Sequence, residues 1–125
     1  MGGNLTLLFT AAASGRLHVP QGAVLFIEDV GEAPYRVDRM LTALITSGAL
    51  DAVAGVLVGD FTDAPPGRHG VPVEDVLRER LNELRVPVLA GFPAGHGPHN
   101  EPIHFGLPAH LDASAGTAVL CPSPA

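Results

Sequence analysis

The chain has 125 residues, of which 46 % are hydrophobic and 16 % charged, as expected for one globular domain and too apolar for a disordered chain. Its net charge is −6 and every base is arginine, so the lack of a basic cluster excludes nucleic acid and anionic membrane surfaces as partners. No apolar run is long enough to cross a bilayer. The single cysteine, Cys121, excludes an internal disulfide and a thiolate zinc cluster. The start of the chain has no signal-peptide pattern, and we expect a cytoplasmic protein.

The first predicted elements are a helix and a buried strand. Residues 5–13 are apolar and rich in alanine, and Asn4 before them is suited to cap a helix. Residues 23–27 form a continuous apolar run with β-branched side chains, which is typical of a buried strand. This strand ends at two acids, Glu28 and Asp29.

A second helix and strand follow in the same order. Pro34 suits the first turn of a helix, the apolar residues after it recur at helical spacing, and Gly48 provides the stop. Residues 52–58 predict another buried strand, again followed by an acid, Asp60. The segment 62–72 is rich in proline and glycine and predicts a loop.

The last third of the chain predicts one more helix and several short strands. The helix covers residues 73–84, and a loop rich in glycine and histidine covers residues 91–100. Strands are predicted at 86–90, 103–105, 110–112 and 117–120, with a hairpin loop at 112–116. The alternation of strands and helices favours parallel pairing. We therefore predict an α/β fold, a small mostly parallel sheet with flanking helices and a short β tail.

Functional groups of such sheets gather at the carboxyl ends of the strands. Glu28 and Asp60 each follow a predicted strand, and His96 lies in the loop after the third. An acid and a histidine brought together in this way are two members of an acid–base–nucleophile triad, in which the acid orients the base. We predict that Glu28 and His96 form such a pair.

Each of these residues also has a structural interpretation. An acid after a strand is often a turn former or the partner of a helix N-terminus, and a histidine in a loop is usually just solvated. The spacing of His96, His99 and His104 allows a zinc site as an alternative. The arginines at 36 and 39 suit a solvated or salt-bridged helix face.

A nucleophile is missing from these motifs. The serines are Ser14, Ser47, Ser114 and Ser123, and none follows the Gly-x-Ser-x-Gly pattern of a nucleophile elbow. Cys121 has no activating neighbour in the sequence. A base and its orienting acid are therefore predicted without a partner to activate.

Four segments in order resemble the LD-carboxypeptidases, the S66 serine peptidases, which include the microcin C immunity peptidases. The longest is residues 26–41, FIEDVGEAPYRVDRML. The others are GGNL at 2–5, VLVGDF at 56–61, and PVLAG at 87–91 followed by GHGP at 95–98. One departure is visible, since His104 stands where the family often has proline. That position favours a strand residue over a metal ligand.

The resemblance implies a fold and a function. The fold is the swivelling β/β/α-like C-terminal domain, and the N-terminal domain that carries the serine would be absent from these 125 residues. Carried over by motif, Glu28 and His96 would complete a Ser–Glu–His triad that releases D-alanine from murein tetrapeptide in cytoplasmic peptidoglycan recycling. No cofactor is implied.

We expect that the chain alone is inactive, that its partners are an N-terminal LD-carboxypeptidase domain and a murein peptide, and that the surface left uncovered favours a homo-oligomer. Two other functions stay open. One is a non-enzymatic α/β binding or assembly module, and the other is a domain of a microcin C-type immunity peptidase.

Overall fold

A computed structural model describes residues 1–114 and 117–119. In chain order the elements are β1 (Gly2–Asn4), α1 (Leu5–Ala13), β2 (Ala23–Val30), α2 (Pro34–Thr46), β3 (Val53–Thr62), α3 (Val73–Asn82), β4 (Val88–Leu89), β5 (His110–Asp112) and β6 (Thr117–Val119). Strands β1 to β4 form one parallel sheet in the order of their numbers, and β5 and β6 form an antiparallel pair. The predicted α/β fold with a β tail is confirmed.

The three helices begin where the sequence predicted. The Asn4 side chain accepts a hydrogen bond from Leu7 N–H at 3.1 Å and so caps α1. Pro34 is the first residue of α2, and Gly48 after its end has a φ of +78°, the left-handed conformation that glycine adopts at helix ends. Helix α3 stops at Asn82, two residues before the predicted end.

Strand β1 was not predicted, because two of its three residues are glycine, which disfavours strand formation. The structure explains the glycine at position 2. Its φ is +143°, and a Cβ there would overlap the backbone of Phe26 in the neighbouring strand. Only glycine allows the backbones of these two strands to approach so closely.

The prediction of a strand at 103–105 is wrong, since these residues form no strand. Pro102 and Pro108 flank the segment, and proline lacks the N–H that a sheet ladder needs. The strand predicted at 86–90 shortens to two residues. The β5–β6 pairing agrees with the predicted hairpin, of which residues 115, 116 and 120 lie outside the described residues.

The two faces of the parallel sheet bury different amounts of apolar side chain. One face, which includes Leu25 and Ile27, packs on the three helices and forms the main core. The other face holds a small cluster of Phe26, Leu57 and Ala94, covered by parts of the segment from residue 89 to 111. We refer to these as the helix face and the loop face.

An ion pair joins two of the helices at the surface. Arg80 of α3 donates to Asp38 of α2 and to Glu83, and these hydrogen bonds raise the pKa of the Arg80 guanidinium above its ordinary value. The Arg80–Asp38 pair links α3 to α2 at the protein surface. No helix in the described part of the chain is both long and apolar enough to cross a bilayer.

Candidate active site

The carboxyl ends of β2 and β3 meet at an irregular point in the sheet. Ile27 pairs with Val58 and Asp29 pairs with Phe61, so one residue of β2, Glu28, stands opposite two residues of β3, 59 and 60. This is a β-bulge, which is rare between parallel strands and which re-aims side chains near functional sites. Glu28 and Asp29 lie inside β2, which runs further than predicted.

Glu28 and His96 are in direct contact. The Glu28 carboxylate oxygen Oε2 lies 2.7 Å from His96 Nδ1. The Glu28 side chain is 8 % exposed, whereas that of His96 is 50 % exposed. An ionised carboxylate only accepts hydrogen bonds, so beside one Nδ1 is the donor, and a neutral imidazole in that tautomer has its lone pair on Nε2. Within residues 1–114 nothing hydrogen-bonds to Nε2, which therefore remains open to a reacting group.

Backbone hydrogen bonds close the loop that carries His96. Phe92 N–H donates to Val58 O at 3.1 Å, and Glu101 N–H donates to Pro93 O at 2.7 Å. Between these anchors, Gly95 N–H donates to the side-chain oxygen of Asn100 at 3.0 Å. The loop is thus attached to the sheet by backbone hydrogen bonds and closed by a hydrogen bond within itself.

The two glycines beside His96 lie close to carboxylate side chains. Gly95 has a φ of +131°, and a Cβ there would lie 3.0 Å from Glu28 Oε2. A Cβ at Gly97 would overlap the Asp60 carboxylate, to which Gly97 N–H donates at 3.2 Å. The loop therefore lies directly on two carboxylates, one on each strand.

Asp29 has a structural role, of the kind weighed above for acids at strand ends. It is 3 % exposed and accepts hydrogen bonds from Asn4 Nδ2, Thr6 N–H, Thr6 Oγ1 and Val30 N–H at 2.7 to 2.9 Å. Two of these donors belong to the first turn of α1, where a negative charge is favourable. Asp29 therefore attaches α1 to β2 on the helix face, while Glu28 points to the loop face.

The histidines that suggested zinc do not converge. His96 is held by Glu28, and His99 Nε2 lies 2.6 Å from Glu101 Oε1 on the surface. Among the described residues no group of three or more metal-ligating side chains is placed to hold an ion. Arg36 and Arg39 lie over the ring of Tyr35, and Arg36 also pairs with Glu32. These surface contacts of α2 agree with the salt-bridged surface that the sequence predicted for the two arginines.

Three of the four serines lie in the described residues, and all are engaged with their own backbone or turn. The Ser14 and Ser47 hydroxyls donate to carbonyls at helix ends, and the Ser114 hydroxyl donates to Asp112. None hydrogen-bonds to His96. Ser123 and Cys121 lie outside the described residues.

Comparison with known proteins identifies the family. Residues 1–111 match the LD-carboxypeptidase C-terminal domain. The chain belongs to the LD-carboxypeptidase family. The resemblance stated from the four sequence segments is confirmed.

Other LD-carboxypeptidases share sequence and fold with the chain. The murein tetrapeptide carboxypeptidase of Pseudomonas aeruginosa is 36 % identical over 115 residues, which is 91 % of this chain and 38 % of that protein. The crystal structure of muramoyltetrapeptide carboxypeptidase from Oxalobacter formigenes superposes with a TM-score of 0.70 at 35 % identity, covering 79 % of this chain and 35 % of that one.

A second solved neighbour is MccF, whose structure is in complex with glutamyl sulfamoyl guanosine. Its TM-score is 0.62 at 29 % identity, and the match covers 74 % of this chain and 28 % of MccF. The chain spans between 33 % and 38 % of the length of three curated relatives that it matches in sequence. It therefore corresponds to the C-terminal part of a larger carboxypeptidase.

Proposed function

We propose that this chain is the C-terminal catalytic half of a serine-type LD-carboxypeptidase, and that Glu28 and His96 are two members of a Ser–Glu–His triad. The serine and the donors that stabilise the oxyanion lie on an N-terminal domain. The substrate is a murein tetrapeptide, whose terminal LD-peptide bond is cleaved to release D-alanine in cytoplasmic peptidoglycan recycling.

One observation carries this proposal. A buried carboxylate holds Nδ1 of a half-exposed histidine at 2.7 Å, and Nε2 is left open. That is the arrangement in which an acid selects the tautomer of a general base. A merely solvated histidine would not need a buried partner, whose removal from water is costly unless it is hydrogen-bonded.

The reaction follows from these positions. The serine oxygen of the N-terminal domain attacks the carbonyl carbon of the scissile bond while its proton moves to Nε2 of His96. Collapse of the tetrahedral intermediate breaks the carbon–nitrogen bond, and His96 returns the proton to the leaving amine. A water molecule then hydrolyses the acyl-enzyme by the same two transfers. Glu28 stays ionised throughout and stabilises the imidazolium.

Reconstitution tests the proposal. The chain joined to the N-terminal part of the Pseudomonas aeruginosa relative should release D-alanine from murein tetrapeptide, and His96→Ala should abolish that release. His99→Ala is the matched control, because His99 lies in the same loop but pairs with the exposed Glu101. Turnover that survives His96→Ala would remove His96 from the triad, whereas a joined parent enzyme without any turnover would support the non-enzymatic module.

The chain by itself provides the complementary test. We expect no release of D-alanine from the 125-residue chain, because no serine in its described residues is bonded to His96. Release by the purified chain alone would show that the nucleophile is within it.

A second substrate class is favoured by the likeness to MccF. MccF was solved with an aminoacyl sulfamoyl nucleoside, so a peptidyl or aminoacyl nucleotide is the alternative substrate. Parallel assays of the joined enzyme on murein tetrapeptide and on glutamyl sulfamoyl guanosine distinguish the two by their kcat/KM values. A clear preference for the nucleotide would reassign the substrate without changing the roles of Glu28 and His96.

A further inference from the structure

We propose, on the basis of the function proposed above, that Asp60 is a positioning residue that fixes the backbone beneath His96. Glu28 holds the imidazole ring by Nδ1. Asp60 holds the loop on both sides of the same histidine. The ring is then placed by two independent supports, one at its nitrogen and one at its backbone.

The contacts of Asp60 bracket His96 along the chain. Asp60 N–H donates to Ala94 O at 2.8 Å, two residues before the histidine. The Asp60 carboxylate accepts from Gly97 N–H at 3.2 Å, one residue after it. A Cβ on Gly95 would also lie 3.3 Å from the Cβ of Asp60. One residue of β3 thus contacts the loop before and after the position that carries the base.

The β-bulge is what brings the Asp60 side chain to the loop. Side chains of a regular strand alternate between the two faces, so two residues on the same face are separated by one residue on the other. In β3, Val58 and Phe61 both pack on the helix face although two residues lie between them. The two residues between them, Gly59 and Asp60, form the bulge opposite Glu28. The Cα of Gly59 is packed against Phe26 and Ala94 O without room for a Cβ, and Asp60 is the residue that reaches Gly97.

The glycines explain why a second support is needed. Gly95 and Gly97 lie closely above the two carboxylates, and glycine leaves the backbone with the greatest conformational freedom. A histidine between two such residues could swing while keeping its hydrogen bond to Glu28. The Asp60 contacts remove that freedom and set where Nε2 points.

Two variants of Asp60 separate positioning from a general structural role. Asp60→Ala removes the acceptor for Gly97 N–H, and Asp60→Asn keeps an acceptor oxygen of nearly the same size. In the joined two-domain enzyme we expect Asp60→Ala to lower kcat by roughly 10- to 100-fold with little change in KM, since a small misplacement of a catalytic group has an effect of that order. Asp60→Asn should restore most of kcat.

Asp75→Ala is the matched control for the loss of charge. Asp75 lies in the first turn of α3 and its side chain is 57 % exposed. It should leave kcat unchanged. Equal kcat for Asp60→Ala and the parent enzyme would overturn the inference, and so would equal losses in Asp60→Ala and Asp60→Asn.

A spectroscopic arm uses the 125-residue chain alone and does not depend on turnover. Imidazole ¹⁵N shifts of His96 and the Gly97 amide resonance should move in Asp60→Ala and return towards the parent values in Asp60→Asn. Unchanged shifts in Asp60→Ala would overturn the inference even if the triad is correct. If instead His96→Ala leaves the joined enzyme active, the proposed triad fails while the placement of His96 by Asp60 is still measured here.

Discussion

Two neighbouring acids on β2, one on each face of the sheet, have different hydrogen-bond partners. On the helix face, Asp29 is buried and accepts four hydrogen bonds, two of them from the first turn of α1. On the loop face, Glu28 is also buried but contacts a single histidine, which is half exposed. Burial alone therefore does not distinguish an acid with a structural role from a candidate catalytic acid. What separates the two is whether the partner of the acid still has an unused group facing solvent.

The largest expected effect is on the loop face. Glu28→Gln in the joined two-domain enzyme should lower kcat by roughly 10⁴-fold, because loss of the orienting acid leaves a serine triad with the wrong histidine tautomer. Circular dichroism should show that the fold is retained. Near-normal kcat would remove Glu28 from the triad.

The main core gives the next largest effect, this time on stability. Leu41→Ala deletes a fully buried side chain of α2 and should lower the free energy of unfolding by about 2–5 kcal/mol. Ile103→Ala, on the thinly covered loop face, should lower it by much less. Urea unfolding of the two variants measures the contrast, and equal losses would mean that both faces contribute alike.

Asp29→Ala tests the other acid of the comparison. The change strips four donors of their acceptor and should lower the free energy of unfolding by about 1–3 kcal/mol. The His96 imidazole shifts in the 125-residue chain should not move, since Asp29 faces α1. A displaced His96 signal would show that the two faces are coupled through β2.

The smallest effect is expected at the surface ion pair. Arg80→Ala removes the contacts to Asp38 and Glu83 that raise the pKa of the guanidinium. Since all three side chains are partly exposed, we expect a small drop in melting temperature that high salt largely abolishes. Arg78→Ala, in a more exposed pair, serves as the control and should have even less effect.

Much of the fold could be predicted because its signals are local. The apolar run at 23–27 and the helical spacing after Pro34 each depend on neighbours in sequence. Strand β1 could not, because Gly2 is there for the close approach of another strand rather than for its own propensity. The predicted β2 was also too short, because two consecutive acids, Glu28 and Asp29, are typical of the end of a strand. Both acids are buried inside β2, where their hydrogen-bond partners come from distant parts of the sequence.

The candidate site also contains residues that the sequence could predict and one that it could not. Glu28 and His96 could be paired from the sequence, because carboxyl ends of parallel strands converge at one edge. The role of Asp60 could not, because strict alternation along β3 does not reveal an inserted residue. Only the pairing of Ile27 with Val58 and of Asp29 with Phe61 exposes it.

Because of the bulge in β3, the position of the His96 loop depends on the number of residues in this strand as well as on their side chains. Deleting Gly59 would move the aspartate into the space beside Phe26 and Ala94 O, where no Cβ fits. Deleting Asp60 would leave Gly97 N–H without its acceptor. Insertions and deletions among relatives should therefore fall in the loop before α3 and never between Val58 and Phe61.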